Sequence, residues 1–211
     1  IPNEIVADAH PGYVSRQRAQ RGAGTLPMTT VQHHHAHLLA NHLTCDLPER
    51  YLALVWDGSG YGTDATLWGS ECFLVEAGKV RRVAALAPFG LPGGVQALRQ
   101  PWRMALALSF AANIPAVEVI QRLTSTTVSA AQLNAVWQML ENNLNCPQSC
   151  AMGRLFDAAS YRLLGVADNL YEGYAALQLQ TRAQQEAIPA ASPGHDSIFA
   201  IHNLESDGLL R

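Results

Sequence analysis

Charge is scarce in this chain. Only 15% of its 211 residues are Asp, Glu, Lys or Arg, and the formal net charge is −3. A protein that holds nucleic acid mainly through phosphates carries a basic excess, so no nucleic-acid partner is expected. Cysteine is also rare. Cys45, Cys72, Cys146 and Cys150 are too few and too scattered for a disulfide scaffold, which points to a reducing, cytoplasmic setting. Cys146 and Cys150 lack a second close pair to complete a zinc site, so buried or free thiols are expected there. No apolar run of about 18 residues exists, and no membrane partner is expected. The first residues, Ile1-Pro2-Asn3-Glu4, carry no basic region or signal-peptide core. Position 1 is not Met, and Ser206–Arg211 reads as the middle of something; a piece of a longer polypeptide is the expectation. Internal repeats and low-complexity tracts are absent as well.

What is present alternates between strand and helix patterns. Ile5-Val6-Ala7-Asp8 fits a buried strand, residues 13–22 an exposed helix, the β-branched run 28–32 a second strand, and 34–44 a second helix. Tyr51–Trp56 reads as a buried strand that runs into a turn at Asp57-Gly58-Ser59-Gly60. Two more strands follow at about 66–76 and 80–87, with Gly78 between them where a hairpin needs it. From Ala97 the spacing becomes helical, at 97–112, 116–123, 129–144, 154–164 and 173–186. Residues 188–196 contain Pro189, Pro193 and Gly194 and read as an exposed loop. The pattern is α/β.

Four of the eight histidines stand in one run: His33, His34, His35 and His37. His33 and His37 are four apart, which on a helix puts both imidazoles on one face, where they can share a metal. His34 and His35 point elsewhere and are expected to orient substrate or to pack. A zinc peptidase is disfavoured, because its motif needs Glu directly after the first histidine and position 34 is His. A catalytic metal takes at least three protein ligands. Asp57 is the nearest oxygen ligand in sequence; a carboxylate outside the chain is the alternative.

Asp57-Gly58-Ser59-Gly60 is neither a Walker loop nor a dinucleotide fingerprint. Its glycines would let backbone N–H groups approach phosphate oxygens, and a strand-end Asp suits a metal or a metal-bound phosphate. Further on, Leu91-Pro92-Gly93-Gly94 reads as a plain loop before a helix. Arg99 and Arg103, four apart, read as one face of that helix, either solvated or an anion clamp.

In order, the segments HHHAH (His33–His37), DGSGYGTD (Asp57–Asp64), Leu67-Trp68-Gly69, LPGG (Leu91–Gly94), PWRMA (Pro101–Ala105), GRLFDA (Gly153–Ala158) and YEG (Tyr171–Gly173) resemble the HypF-type carbamoyltransferases, as does Asp8-x-His10-Pro11. The resemblance runs from about residue 3 to residue 180. It implies the final, threonylcarbamoyl-transferase-like domain of a multidomain protein of [NiFe]-hydrogenase maturation. The implied fold is two-lobed and actin-like, of the ribonuclease-H type shared with sugar kinases and heat-shock chaperones. It would be incomplete in this chain and carry helical insertions: residues 1–46 would close the first lobe and residues 51–211 begin the second.

The resemblance also implies roles. His33 and His37 match the family's metal pair, where iron or zinc is expected, and together with Asp57 they would be catalytic. Asp57, Gly58, Ser59 and Gly60 match the turn that holds nucleotide phosphates, with magnesium a companion of the nucleotide. Asp157 and Gly173 match ribose contacts of the threonylcarbamoyl relatives, and Glu172 is their neighbour. The implied reaction passes the carbamoyl group of carbamoyl-adenylate, made from carbamoyl phosphate and ATP, to the C-terminal cysteine of the partner HypE. The product becomes the cyanide ligand of the hydrogenase iron. The family's last metal carboxylate and second glycine-rich loop would lie beyond position 211, so the chain alone is expected to be inactive.

Two other readings compete. One is a tRNA threonylcarbamoyl transferase or an O-carbamoyltransferase of the same superfamily. The tRNA enzyme, however, would carry a Ser-Gly-Gly-His-like turn at positions 57–60 and a motif closer to Glu-Ala-Phe-Asp at 154–157. The other is a noncatalytic nucleotide- or metal-binding module.

Overall fold

A computed structural model describes residues 2–185 and the backbone of 201–203. The loop expected at 188–196 lies outside the described residues. The described residues divide into two compact units, one running to Ala85 and the other beginning at Leu86.

The first unit opens with a β-α-β-α run: β1 (Ile5–Asp8), α1 (Val14–Gly22), β2 (Met28–Val31) and α2 (His33–Thr44). β1 and β2 pair in parallel, Ile5 opposite Met28 and Asp8 opposite Val31. Parallel neighbours need a crossover, and α1 supplies it. The two strands therefore end at the same edge, where α2 begins. Gln32 caps α2 by accepting a hydrogen bond from the His35 amide, one of the donors that a helix start leaves without a partner.

β3 (Arg50–Tyr61), β4 (Leu67–Glu76) and β5 (Lys79–Leu86) form an antiparallel meander. The β4–β5 hairpin turns on two residues, Ala77 and Gly78, both at positive φ (48° and 72°), the conformation of the tight turns that match strand twist. α2 and the sheet bury Leu38, Val55, Trp68, Phe73 and Val75. Each such side chain contributes about 1.5–3 kcal/mol on burial.

One expectation is corrected here. Asp57–Gly60 does not form a turn after the strand; β3 continues through it to Tyr61, with a register irregularity between Trp56 and Gly60. The reversal comes later, at Gly62–Thr66, where Gly62 N donates to Thr66 O. The chain can stay extended because cross-strand pairing with β4 resumes at Gly60–Trp68.

Among the described residues the second unit is mainly helical, with a two-residue pair, β6 (Phe89–Gly90) with β7 (Gln148–Ser149). Its helices are α3 (Val95–Arg99), α4 (Pro101–Ala111), α5 (Ala116–Leu123), α6 (Ala130–Glu141), α7 (Met152–Leu164) and α8 (Tyr174–Gln185). The helix expected over 97–112 is two helices. Pro101 cannot donate into a preceding turn, so the chain breaks at Gln100 and restarts with Pro at N1. Arg99 and Arg103 consequently do not share a helix face. Arg103 instead folds back on the Leu91–Gly94 loop, donating to Pro92 O at 3.2 Å and to Gln100 Oε1 at 2.6 Å.

α4 is the spine of this unit and packs on α5, α6 and α7. Its Met104 and Leu106 are fully buried, as are Leu133 of α6 and Ala151 before α7. A Ser129–Gln132 capping box starts α6, and Gly165 at φ 71° ends α7 in the left-handed conformation. Among the described residues no helix is long and apolar enough to cross a membrane.

Candidate functional site

The edge where β1 and β2 end collects the polar side chains of the first unit. His33, the first residue of α2, carries its ring between two carboxylates. Its Nδ1 is 2.8 Å from Asp8 Oδ2 and its Nε2 is 3.2 Å from Asp57 Oδ2. One turn later, His37 Nε2 is 3.2 Å from His33 Nε2. One ligand atom each from His33, His37 and Asp57 lies within 4.8 Å of the others. A tetrahedral ion with bonds of about 2.1 Å holds its ligand atoms about 3.4 Å apart. Two of the three spacings, both 3.2 Å, therefore suit a metal, and two imidazoles with one carboxylate are a borderline-soft donor set suited to zinc or iron. His37 is exposed and the other two are partly so, which leaves one side open, as a catalytic site requires.

Asp8 is anchored in turn. Its Oδ1 accepts the backbone amide of His10 at 2.7 Å. Burial works to raise its pKa, but that amide and the His33 ring outweigh burial and hold the carboxyl below its usual range.

Beneath the cluster lies His34, with no solvent exposure. Gln32 Nε2 is 3.4 Å from its Nδ1. Its Nε2 has no hydrogen-bond partner and sits 3.8 Å from Asp57 Oδ2 and 3.7 Å from Glu71 Oε2. Burial pushes its pKa down to about 4, against the opposing pull of Asp57, so the ring is neutral at pH 7. A Cβ on Gly60 would come within 2.2 Å of the His34 ring, and one on Gly62 within 2.2 Å of Trp68 Nε1. Neither glycine has a positive φ. Both are there for close approach.

Glu71, also fully buried, is paired to Arg82 at 3.2 Å. Arg82 reaches Asp64 at 3.1 Å as well and lies over the Trp68 ring, 4.1 Å from its centroid. Trp68 Nε1 donates to Asp64 Oδ1 at 2.8 Å. This network holds the β3–β4 turn and forms the floor under His34.

The other expected site residues divide. Gly58 N donates to Asp57 Oδ1 at 2.6 Å, so that amide is already engaged. Ser59 is exposed on the strand and Gly60 is buried. In the second unit, Asp157 is buried, 2.6 Å from Arg154 and 3.2 Å from the Asn169 amide. Burial raises its pKa, and Arg154 and Asn169 work against that rise. Glu172 and Gly173 are exposed in the turn before α8, Gly173 at φ 78°. The structure thus brings His33, His37 and Asp57 together within one unit, and Asp157 near Asn169 within the other.

Sequence reasoning missed Asn169, met Asp8 only within the Asp8-x-His10-Pro11 resemblance, and left His34 between orienting substrate and packing; the structure buries it. Asp8 carried a readable signal, a carboxylate at the last position of a strand next to the histidine strand. Asn169 carried none: its side chain links Leu98 O, Asp157 and the Ala175 amide, three distant places in the chain.

Comparison with known proteins follows the same span. Residues 1–43 match the family model described as the HypF Kae1-like domain. Residues 53–204 match that of the carbamoyltransferase Kae1-like domain, second subdomain. A carbamoyltransferase HypF homolog of Cupriavidus necator is 38% identical over 208 residues, covering 98% of this chain and 52% of that protein. The carbamoyltransferase HypF of a Synechocystis species is 38% identical over 197 residues, covering 86% and 25%. The chain therefore spans between a quarter and about half the length of these relatives. Among solved structures, full-length HypF in a phosphate- and nucleotide-bound form superposes with a TM-score of 0.72 at 32% identity, over 85% of this chain and 23% of that one. HypF of T. kodakarensis does so with 0.78 at 25% identity, over 99% and 27%.

Proposed function

We propose, on the premise that this chain belongs to the HypF carbamoyltransferase family through its Kae1-like domain, that it supplies the metal-binding part of a carbamoyl-transfer site. The observation that carries this is the convergence of His33 Nε2, His37 Nε2 and an Asp57 carboxylate oxygen within 4.8 Å, open to solvent on one side. The donor is carbamoyl-adenylate, formed from carbamoyl phosphate and ATP, and the acceptor is the C-terminal cysteine of a HypE-like partner in hydrogenase maturation.

In that reaction the acceptor thiolate attacks the carbamoyl carbon. A C–S bond forms, the C–O bond to the adenylate breaks, and AMP leaves with the electron pair. An iron or zinc ion held by His33, His37 and Asp57 would act as a Lewis acid on the carbamoyl oxygen or the departing phosphate. The chain's own residues do the rest. His34, neutral and buried, backs Asp57 without adding charge. The strand segment Asp57–Gly60 offers a backbone edge to the phosphates, with the exposed Ser59 Oγ as donor once Gly58 N is taken by Asp57. Of the ribose contacts that the resemblance implies, Glu172 and Gly173 are exposed, whereas Asp157 is enclosed with Arg154 and Asn169; magnesium would accompany the nucleotide.

The test uses the full-length polypeptide that carries this chain, with its thiol-bearing partner, carbamoyl phosphate and ATP. His33→Ala with His37→Ala removes bound metal and carbamoyl transfer together. Transfer at the wild-type rate without metal would sink the metal role.

A further inference from the structure

Two carboxylates flank His33, and only one of them belongs to the ligand cluster. Asp57 faces Nε2, the atom shared with His37, whereas Asp8 faces the opposite ring nitrogen, Nδ1, at 2.8 Å. Neither Asp8 oxygen is left over for a ligand: Oδ1 accepts the His10 amide at 2.7 Å and Oδ2 faces His33. We propose that Asp8 is a positioning residue, which accepts a hydrogen bond from Nδ1–H of His33 and so keeps the Nε2 lone pair of that ring pointed at the space shared with His37 and Asp57. The proposal rests on the metal-binding reading given above.

The physical case has three parts. An imidazole can ligate through Nε2 only when its proton sits on Nδ1, and the hydrogen bond made by the other nitrogen decides which tautomer is present. A carboxylate is an acceptor only, so opposite Nδ1 it admits one arrangement, N–H toward oxygen. A ring turned over by half a turn would put a carbon against Asp8 Oδ2, so the same contact fixes the ring's orientation. The fold makes Asp8 able to do this. It is the last residue of β1, in register with Val31 of the parallel strand β2, and His33 follows β2 by two positions. The parallel pairing therefore delivers the carboxylate and the ring to the same edge, and the His10 amide holds the carboxylate in place.

The experiment compares wild type, Asp8→Ala and Asp8→Asn of the 211-residue chain with two readouts. Nitrogen–proton correlation spectra of metal-free protein at mildly alkaline pH report the His33 tautomer. Chelator competition reports zinc affinity. Wild type is expected as the Nδ1–H tautomer. Asp8→Ala is expected to lose that preference and to bind zinc about 10- to 100-fold more weakly. Asp8→Asn has one oxygen left, which the His10 amide takes, so its NH2 group faces Nδ1 and is expected to force the Nε2–H tautomer and to weaken zinc binding at least as much as Asp8→Ala does. Preserved Nδ1–H in Asp8→Ala overturns the proposal, as does Nδ1–H in Asp8→Asn. Should Asp8→Ala fail to fold, Asp8→Asn decides alone: a switch to Nε2–H supports the role and retained Nδ1–H overturns it. If wild type binds no zinc, either as this chain or within the full-length polypeptide, the metal reading falls, while the tautomer comparison still judges Asp8.

Discussion

The two units each hold a carboxylate that the sequence marks out, and they treat it in opposite ways. Asp157 is buried and its oxygens meet Arg154 and Asn169, groups of its own unit. Asp57 is partly exposed, with Oδ1 on its neighbour's amide and Oδ2 at the ligand cluster of His33 and His37. A carboxylate enclosed by the fold chiefly holds that fold together. One with an oxygen facing open space beside other lone pairs is equipped for chemistry. The contrast makes opposite demands on substitution, so the two sites can be separated by measuring binding and stability side by side.

The largest effect is expected at the open site. His33→Ala with His37→Ala abolishes zinc binding, beyond the tenfold to hundredfold cost of losing an outer hydrogen-bond partner, and leaves the thermal midpoint of the metal-free chain nearly unchanged. A large drop in that midpoint would make the cluster structural and erase the contrast. Next is Asp157→Ala, which strands Arg154 in the interior. It is expected to cost about 3–5 kcal/mol in denaturant unfolding while zinc affinity holds.

pH sharpens the comparison further. The pKa of His34 falls from an ordinary 6.5 to about 4 in the folded chain. Between those values the unfolded chain binds more protons than the folded one, so stability falls as pH drops from about 6.5 toward 4. The loss approaches roughly 3 kcal/mol at the bottom of that window, and a His34→Gln variant should flatten the profile between those pH values. The smallest effect is Gly173→Ala. Nothing lies within 4 Å of the added Cβ, and φ is 78°, so only backbone strain of about 1 kcal/mol is expected. A nucleotide-affinity loss larger than this strain explains would support the ribose role of this turn.

How much of this was legible beforehand follows from where each signal resides. The i, i+4 histidines were readable because helix geometry alone puts them on one face. Asp57 could be named for its place at the end of an apolar strand. Gly60 was read as part of a turn, because a glycine needed for a turn and one needed for a close neighbour look the same in sequence. Only the His34 ring, brought up from elsewhere in the fold, tells them apart. The break at Gln100 could have been read, since Pro101 announces it, but the apolar spacing across it is continuous. For Asp8 the readable signal, a carboxylate ending a strand, stopped short of a role, because its placement beside His33 comes from the parallel register of β1 and β2.

The contact between Gly60 and His34 also bears on how this chain can change over generations. Any side chain at position 60 collides with the ring at position 34, so the first step away from glycine is blocked while the histidine remains. Replacing the histidine first opens a void under Asp57 and unsettles the ligand cluster. Each single step is penalised, so the residue at either position limits what the other can become.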